Sequence, residues 1–283
     1  MSTEPAVRRQ IAFYGKGGIG KSTVVSNVAS VLTGMDRRVL QIGCDPKADS
    51  SRPFWDGARP RTVLQLLQEA RGKNPEAGDL VRHSASGVAY LEVGGPEPGV
   101  GCAGRGILKM FEILEDLSLL DRGYDVVLYD VLGDVVCGGF AAPLRAGYAD
   151  EVYVVVSGEF MALYAANNIC RGIAGYAEHR DVRLGGLVLN RRDVAGEAAI
   201  VEAFARRLGS QVVGSLPRSP IVAQAERRRR TVVEEFPGSE QAQAYRELAA
   251  NLLAGPRPAV PTPLSEAELE ELYFSFSADD GGA

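Results

Sequence analysis

The chain has 283 residues, 46% of them hydrophobic and 24% charged, a balance that suits one large α/β domain or two small ones. Its formal net charge of −5 argues against nucleic acid as a partner. It has no run of about 18 uncharged apolar residues. Residues 1–10 also lack the apolar core of an export signal, so we expect no membrane association and a cytoplasmic location.

A phosphate-binding loop follows the first predicted strand. Residues 11–14 are apolar, residues 15–23 fit the pattern G-x-x-x-x-G-K-[ST], and apolar residues recur at helical spacing over 24–32. Glycine backbone N–H groups and a helix N-terminus both favour a bound anion. We expect Lys21 to neutralise the β- and γ-phosphates of a nucleotide and the Ser22 hydroxyl to bind Mg²⁺. The nucleotide-binding residues of this loop are predicted to be Gly15, Gly17, Gly18, Ile19, Gly20, Lys21, Ser22 and Thr23.

A second lysine, Lys16, lies inside the loop, too early in it to share the role of Lys21. Its side chain either is solvated like an ordinary surface lysine or points outward, to a nucleotide held by a second subunit. The loop residues alone leave both interpretations open.

Two aspartates follow the second predicted strand, residues 38–43. Asp45 and Asp49 lie in a loop at the carboxyl end of that strand, where open α/β sheets place their binding sites. Carboxylates there are suited to holding Mg²⁺ through water or to orienting an attacking water. The alternative is that they only form the turn beside Pro46.

The rest of the chain alternates between strands and helices, which predicts one mostly parallel sheet with helices on both faces. The whole is a single-domain P-loop NTPase of the α/β class. Strands are predicted over 88–93, 124–129, 151–156, 184–189 and 211–215; helices over 62–70, 107–120, 161–176, 198–208, 241–253 and 265–272; loops over 71–78 and 94–106. We predict a tail at 1–8, an ATPase and iron–sulfur domain at 9–255, an extension at 256–283 that ends in disorder, and a solvated basic helix face at 227–230.

Three of these strands end in polar residues that suit a nucleotide site. Asp130 follows an apolar strand, the companion signature of phosphate-loop proteins, and is expected to orient Mg²⁺ through a bound water. Asp134, four residues later, is the candidate for positioning the hydrolytic water. Asn190 is expected to read a purine ring, and Pro217 and Arg218 end the last strand beside it.

Two of the four cysteines have unusual surroundings. Cys102 and Cys137 each lie in a glycine-rich loop at the start of a predicted helix, where backbone N–H groups favour an anionic cluster. A [4Fe–4S] cluster takes four thiolates, so a homodimer sharing one cluster on its two-fold axis satisfies the count. The alternative is a pair of free or redox-active thiols. Cys44 is expected to pack at a strand end and Cys170 inside a helix as a small hydrophobe.

The spacing between the two predicted sites also indicates a mechanism. Asp130 belongs to the nucleotide site and Cys137, only seven positions further along the chain, to the cluster. A change at the γ-phosphate is therefore expected to shift the intervening segment and the surroundings of the cluster.

Taken together, residues 15–23, 43–50, 94–106, 130–140 and 164–168 resemble the nitrogenase iron protein and its relatives, over residues 9–274. The resemblance implies a homodimeric ATP-dependent reductase with a [4Fe–4S] cluster bridging Cys102 and Cys137 of both subunits. It also implies that the lysine at position 16 reaches the partner subunit's nucleotide. The arginine at position 105 is expected beside the cluster, at the docking face.

The same resemblance implies a low-potential ferredoxin or flavodoxin as electron donor and a separate heteromeric catalytic component as acceptor. Nitrogenase and methylthio-alkane reductase are the leading candidates for that component. Ser219-Pro220 and Ala223 stand where nitrogenase members usually carry Asp and Gln. The alternatives are a positioning ATPase of the MinD/ParA type and an iron–sulfur carrier ATPase.

Overall fold

A computed structural model of the chain describes residues 9–70, 75–95, 103–133, 142–145, 148–255 and 258–276. Within these residues an eight-stranded sheet has the order β3-β4-β2-β5-β1-β6-β7-β8, and its strands pair in parallel except for β3 with β4. The strands are β1 (Arg9–Tyr14), β2 (Val39–Gly43), β3 (Arg82–His83), β4 (Ala89–Glu92), β5 (Val126–Asp130), β6 (Glu151–Val156), β7 (Arg183–Asn190) and β8 (Val212–Leu216).

Every residue of β2 and β5 is buried, because helices cover both faces of this sheet. A 3₁₀ turn spans Arg52–Phe54. The helices are α1 (Lys21–Gly34), α2 (Val63–Glu69), α3 (Ala77–Leu80), α4 (Ala103–Asp116), α5 (Ala142–Arg145), α6 (Phe160–Ala177), α7 (Glu197–Arg207), α8 (Pro220–Arg227), α9 (Val232–Glu235), α10 (Glu240–Ala254) and α11 (Glu266–Ser275).

The predicted order of strands and helices is confirmed, with corrections at several element ends. The helix predicted over 107–120 is α4, which ends at Asp116 because Ser118 takes a left-handed conformation with φ of 45°. The loop predicted over 71–78 gives way to α3 at Ala77. The basic run 227–230 is not a helix face: α8 ends at Arg227, and Arg229 has φ of 53°.

The strand β3 and the helices α8 and α9 are absent from the sequence-based prediction. The segment after residue 255 packs on the sheet and on α6. Ala259 pairs with Leu184, and the Asn167 side chain bonds both backbone polar groups of Leu264. The predicted domain boundary at residue 255 stays a prediction.

The sheet register decides where the functional residues meet. Asp130, the last residue of β5, pairs with Phe13 of β1 on one side and with Gly43 of β2 on the other. The phosphate loop after β1 and the loop after β2 therefore leave the sheet on either side of Asp130. Parallel strands place all three carboxyl ends at one edge, so a single site can use all of them.

Candidate functional site

The phosphate loop joins β1 to α1 in a shape that glycine makes possible. Gly20 is the N-cap residue of α1 and has φ of 98°, a left-handed conformation that side chains disfavour. No side chain caps this end of the helix. The N–H groups of the first turn therefore remain available to an anion, and the helix dipole adds to their attraction.

A cavity of about 980 Å³ opens above this loop at the carboxyl edge of the sheet. Its walls also include the loop after β2, Leu132 and Gly133 after β5, and parts of α8 and α10. Among the residues predicted for the site, those that line it are Lys16, Gly17, Gly18, Gly20, Lys21, Ser22, Thr23, Asp45, Asp49, Asn190, Pro217 and Arg218. The sequence therefore predicted the part of the lining that comes from the phosphate loop, the loop after β2 and the ends of β7 and β8.

Asp130 lies just behind the cavity wall, with 2% of its surface exposed. Burial raises the pKa of its carboxyl, while the Lys21 ammonium and the hydroxyls of Ser22 and Ser50 act in the opposite direction. Its Oδ2 atom has no hydrogen-bond partner. A buried carboxylate oxygen without a partner, beside a serine hydroxyl, fits the expected role of orienting the water shell of Mg²⁺.

Lys21 is buried among these groups. Burial lowers the pKa of its ammonium, and the carboxylates of Asp130 and Asp45 oppose that shift. Its Nζ atom donates to the carbonyl of Lys16 at 3.4 Å, within the loop itself. The charge is thus held at the floor of the loop, where it can neutralise the phosphates of a nucleotide.

The cavity has about twice as many cationic as anionic side chains. Its cationic residues are Lys16, Lys21, Lys47, Arg191, Arg192 and Arg218, and its carboxylates belong to Asp45, Asp49 and Glu226. Such an excess of positive charge suits a polyphosphate, and the carboxylates suit the Mg²⁺ that accompanies it.

The loop after β2 both forms a turn and brings its two aspartates to the cavity. Asp45 Oδ1 accepts a bond of 2.9 Å from the Lys47 N–H, which forms a turn, and it lines the cavity as well. Asp49 lines the same cavity. The turn thus places carboxylates at the site, and their roles toward Mg²⁺ and water stay predictions.

Asn190 is bound to the phosphate loop in this structure. Its Nδ2 atom donates to the carbonyl of Ile19 at 2.7 Å, and Arg192 Nη2 donates to the carbonyl of Gly18 at 2.7 Å. Both bonds run from the end of β7 to the loop. The Oδ1 atom of Asn190 takes no part in its bond to Ile19. Recognition of a purine by Asn190 stays a prediction.

Several cavity residues were missed because they come from distant helices. Gln241 and Tyr245 lie one turn apart on α10, and Glu226 lies on α8. Gln241 is buried and its Oε1 atom has no partner, so it offers an acceptor to an amino group of a ligand. A buried glutamine in an otherwise apolar helix face was the available signal. Glu226 Oε1 accepts a bond of 3.0 Å from the Thr23 hydroxyl.

Gly133 connects the site to the chain that leads toward Cys137. A Cβ atom at Gly133 would lie 2.7 Å from the Gly17 nitrogen and 2.9 Å from Lys21 Nζ. The backbone after β5 therefore rests directly on the phosphate loop. We therefore expect a displacement of that loop to move this segment as well.

The described cysteines behave as predicted. Cys44 at the end of β2 and Cys170 inside α6 are both completely buried, and burial raises the pKa of each thiol. Neither is placed to bind a cluster at the surface. The predicted cluster ligands Cys102 and Cys137, together with Asp134 and the side chain of Arg105, lie outside the described residues.

Comparison with known proteins identifies the family. A model of the 4Fe-4S iron sulfur cluster binding proteins, NifH/frxC family, matches residues 9–279. The chain is 50% identical over 271 residues to nitrogenase iron protein 2 of Methanothermobacter thermautotrophicus, a match that covers 96% of this chain and 99% of that protein. The chain belongs to the NifH/frxC family. As a member, it is an ATP-hydrolysing oxidoreductase component, whose family binds a [4Fe–4S] cluster and MgATP or MgADP.

Solved structures at low sequence identity confirm the P-loop fold of this NifH/frxC member. The septum site-determining protein MinD of Pyrococcus horikoshii, complexed with Mg-ADP, aligns with a TM-score of 0.71 and 22% identity over 88% of this chain and 98% of that one. A ParA family ATPase of Chlorobium tepidum aligns with a TM-score of 0.67 and 16% identity over 87% and 99%. In the described part of the chain, no helix is both long and apolar enough to cross a membrane.

Proposed function

We propose that two copies of this chain share one [4Fe–4S] cluster through Cys102 and Cys137 of each. In this proposal the dimer passes electrons to a nitrogenase-like catalytic component as MgATP is hydrolysed. The observation that carries it is the match of residues 9–279 to a family of 4Fe-4S iron sulfur cluster binding proteins. The contact of Gly133 with the phosphate loop supports the coupling to the nucleotide, because Gly133 lies between Asp130 and Cys137 in the chain. The cluster, when bound, supplies a one-electron redox centre.

Within the nucleotide site the proposed roles follow from position and charge. Lys21 neutralises charge that develops on the phosphates, from its buried place at the floor of the loop. Ser22, Asp49 and Asp130 hold Mg²⁺ directly or through water.

Three further residues complete the ATP chemistry in this proposal. Asp45 and Asp134 orient the attacking water. Lys16 is half-buried at the rim of the cavity and acts on the nucleotide of the partner subunit.

The electron acceptor is proposed to be a heteromeric nitrogenase-like component, with nitrogenase and methylthio-alkane reductase as the leading candidates. Identity to a protein named nitrogenase iron protein 2 supports the first. Ser219 and Ala223, which depart from the usual nitrogenase pattern, line the nucleotide cavity. Arg105 is proposed to face the acceptor. A low-potential ferredoxin or flavodoxin is proposed to reduce the dimer in the cytoplasm, without nucleic acid or membrane.

The first test asks which cysteines hold iron. Each cysteine is replaced by Ser, and iron per dimer is measured after anaerobic purification. We expect Cys102→Ser and Cys137→Ser to lose the cluster, while the buried Cys44→Ser and Cys170→Ser proteins keep it. Full iron content in Cys137→Ser would contradict the shared cluster.

The second test asks whether the cluster responds to the nucleotide. The rate at which a bipyridyl reagent removes iron is followed with MgATP, with MgADP and without nucleotide. We expect fast removal only with MgATP, because MgATP should bind better to the arrangement of the dimer in which the cluster is accessible. A tenfold preference for that arrangement stabilises it by about 1.4 kcal/mol. Deletion of Leu132, which shortens the connecting segment, should abolish the difference. Equal rates in the wild-type protein, with nucleotide binding verified, would show that the segment transmits nothing.

The likeness to MinD and ParA structures, at 22% and 16% identity, shows the fold alone. A positioning ATPase needs no cluster, so a colourless anaerobic preparation without iron would contradict the proposal. An iron–sulfur carrier would instead transfer its cluster to an apo-protein. Loss of brown colour upon incubation with apo-ferredoxin would favour that alternative.

A further inference from the structure

A second, smaller cavity of about 200 Å³ adjoins the nucleotide cavity. The two share Ser22, Thr23, Asp49, Val222 and Glu226 in their walls. The smaller cavity lies between α1, the segment that leads into the 3₁₀ turn, and the helices α8 and α9. Its volume admits a small ion with a few waters and excludes a nucleotide.

Two arginines lie on the side of this cavity away from the nucleotide. Arg52 and Arg230 line the smaller cavity but not the larger one. Among the described residues, neither guanidinium has an ion pair or a hydrogen bond. Each therefore keeps its N–H donors free for a ligand.

Most of the neighbouring arginines are engaged. Arg228 pairs with Glu235 and lies over the ring of Phe236. Arg229 donates to the carbonyl of Gly57 at 2.5 Å, and Arg59 donates to the backbone at Lys47. Arg227 also has no partner among the described residues, but it lines neither cavity. Arg52 and Arg230 are therefore distinguished by lining the smaller cavity with unengaged guanidinium groups.

The backbone at Arg230 is held in place by specific bonds. Arg229 takes the left-handed conformation, which non-glycine residues disfavour, and the Arg230 N–H donates to the carbonyl of Ala225 at 3.1 Å. Thr231 then starts α9 with a capping box. This turn fixes the backbone from which Arg230 reaches the cavity that Arg52 also lines.

The remaining wall is fixed by side chains of α1. Asn27 Oδ1 accepts bonds of 2.8 Å and 3.2 Å from the N–H groups of Val232 and Val233, and Thr23 donates to Glu226. The cavity is thereby built from bonds that tie α8 and α9 to the helix of the phosphate loop. Two carboxylates line the cavity. Glu226 accepts the bond from Thr23 with one of its oxygens, and Asp49 belongs to the proposed Mg²⁺ site.

We propose that this cavity binds one phosphate ion between Arg52 and Arg230, and that the ion is the product of ATP hydrolysis on its way to solvent. In hydrolysis a water oxygen bonds the γ-phosphorus, the bond to the β-phosphate oxygen breaks, and the water's proton leaves with phosphate or solvent. The product then meets two guanidinium groups with free N–H donors, the kind of group that recognises phosphate. The proposal rests on ATP hydrolysis in the adjoining cavity and not on the identity of the electron acceptor.

Equilibrium dialysis with radiolabelled inorganic phosphate tests the site on the intact anaerobic dimer. Binding is measured without nucleotide, with saturating MgADP, and with a saturating Mg²⁺ complex of a non-hydrolysable ATP analogue. We expect one phosphate per chain in all three states. Loss of binding with the ATP analogue would place phosphate in the γ-phosphate position and overturn the proposal, as would no binding in any state.

Variants connect the binding to the two arginines. The double variant Arg52→Ala/Arg230→Ala should weaken phosphate binding at least tenfold while retaining iron and MgATP affinity. Arg227→Ala, in the same basic run but lining neither cavity, should bind phosphate like the wild-type protein. Should the double variant fail to fold, Arg52→Lys/Arg230→Lys keeps the charge and must still weaken binding, because Lys lacks the bidentate geometry. Unchanged phosphate affinity in a folded variant would overturn the proposal.

A kinetic arm separates product from phosphate taken up from solution. After turnover of γ-labelled ATP, rapid filtration measures label retained on the protein. We expect retained phosphate in the wild-type dimer and at least tenfold less in the double variant at equal hydrolysis rate. Equal retention in both proteins would show that product phosphate does not pass this site.

Discussion

Glu92 is a buried carboxyl at the end of β4 that the proposed chemistry does not use. One of its oxygens, Oε1, accepts bonds from the Ser51 N–H at 2.6 Å and the Ser51 hydroxyl at 2.5 Å. The other, Oε2, has no partner and lies against Gly43. Burial raises the pKa of this carboxyl from 4.5 to about 7, although both bonds from Ser51 oppose the shift. We predict that replacing it by Gln changes how stability depends on pH.

The sign follows from proton linkage. The folded state binds this proton more tightly than the unfolded state, so ionisation of Glu92 costs stability as pH rises from 4.5 toward 7. The full cost above that range is about 3 kcal/mol, and most of it is incurred between roughly pH 5 and pH 8. Glu92→Gln cannot ionise, so its stability lacks this loss, while all other titrating groups are common to both proteins.

Urea unfolding of the anaerobic dimer at one protein concentration provides the measurement, at four pH values from about 5 to about 8. The free energy of unfolding of Glu92→Gln should gain about 2 to 3 kcal/mol relative to wild type across this range. Glu270→Gln, at an exposed position of α11, serves as the matched control and should follow wild type. Parallel curves for Glu92→Gln and wild type would refute the reasoning, since they would mean that Glu92 ionises alike in both states.

Three further predictions concern the nucleotide site. Gly133→Ala should weaken MgATP binding at least tenfold in calorimetric titration, because the new Cβ meets Gly17 and Lys21, whereas Gly238→Ala, with nothing within 4 Å, should bind normally. Asp134→Asn should keep MgATP affinity but lower ATP hydrolysis with the catalytic component by about 100-fold or more, as expected for loss of water positioning; wild-type hydrolysis would exclude that role. Gln241→Leu should reduce the preference for ATP over GTP, measured by competition, about tenfold, the worth of one hydrogen bond of about 1.4 kcal/mol; an unchanged preference would show that its free Oε1 does not read the base.

The sequence predicted those site residues that lie close together along the chain. The phosphate loop and Asp130 were predictable because a local motif and strand order specify them. Gln241 and Tyr245 were not, because only the packing of α10 beside β8 brings them to the cavity. Neither was the antiparallel strand β3, whose two residues carry no periodicity.

The tethering of the phosphate loop has a consequence for the energetics of nucleotide binding. Asn190 and Arg192 hold the carbonyls of Ile19 and Gly18. Ordering a flexible backbone costs about 1–2 kcal/mol per residue, and a loop held by such bonds has less conformational entropy to lose upon binding. Both bonds restrain the loop from the side of β7. We therefore expect the exchange of ATP for ADP to be accommodated on the other side of β1, where Gly133 lies against Gly17 and Lys21.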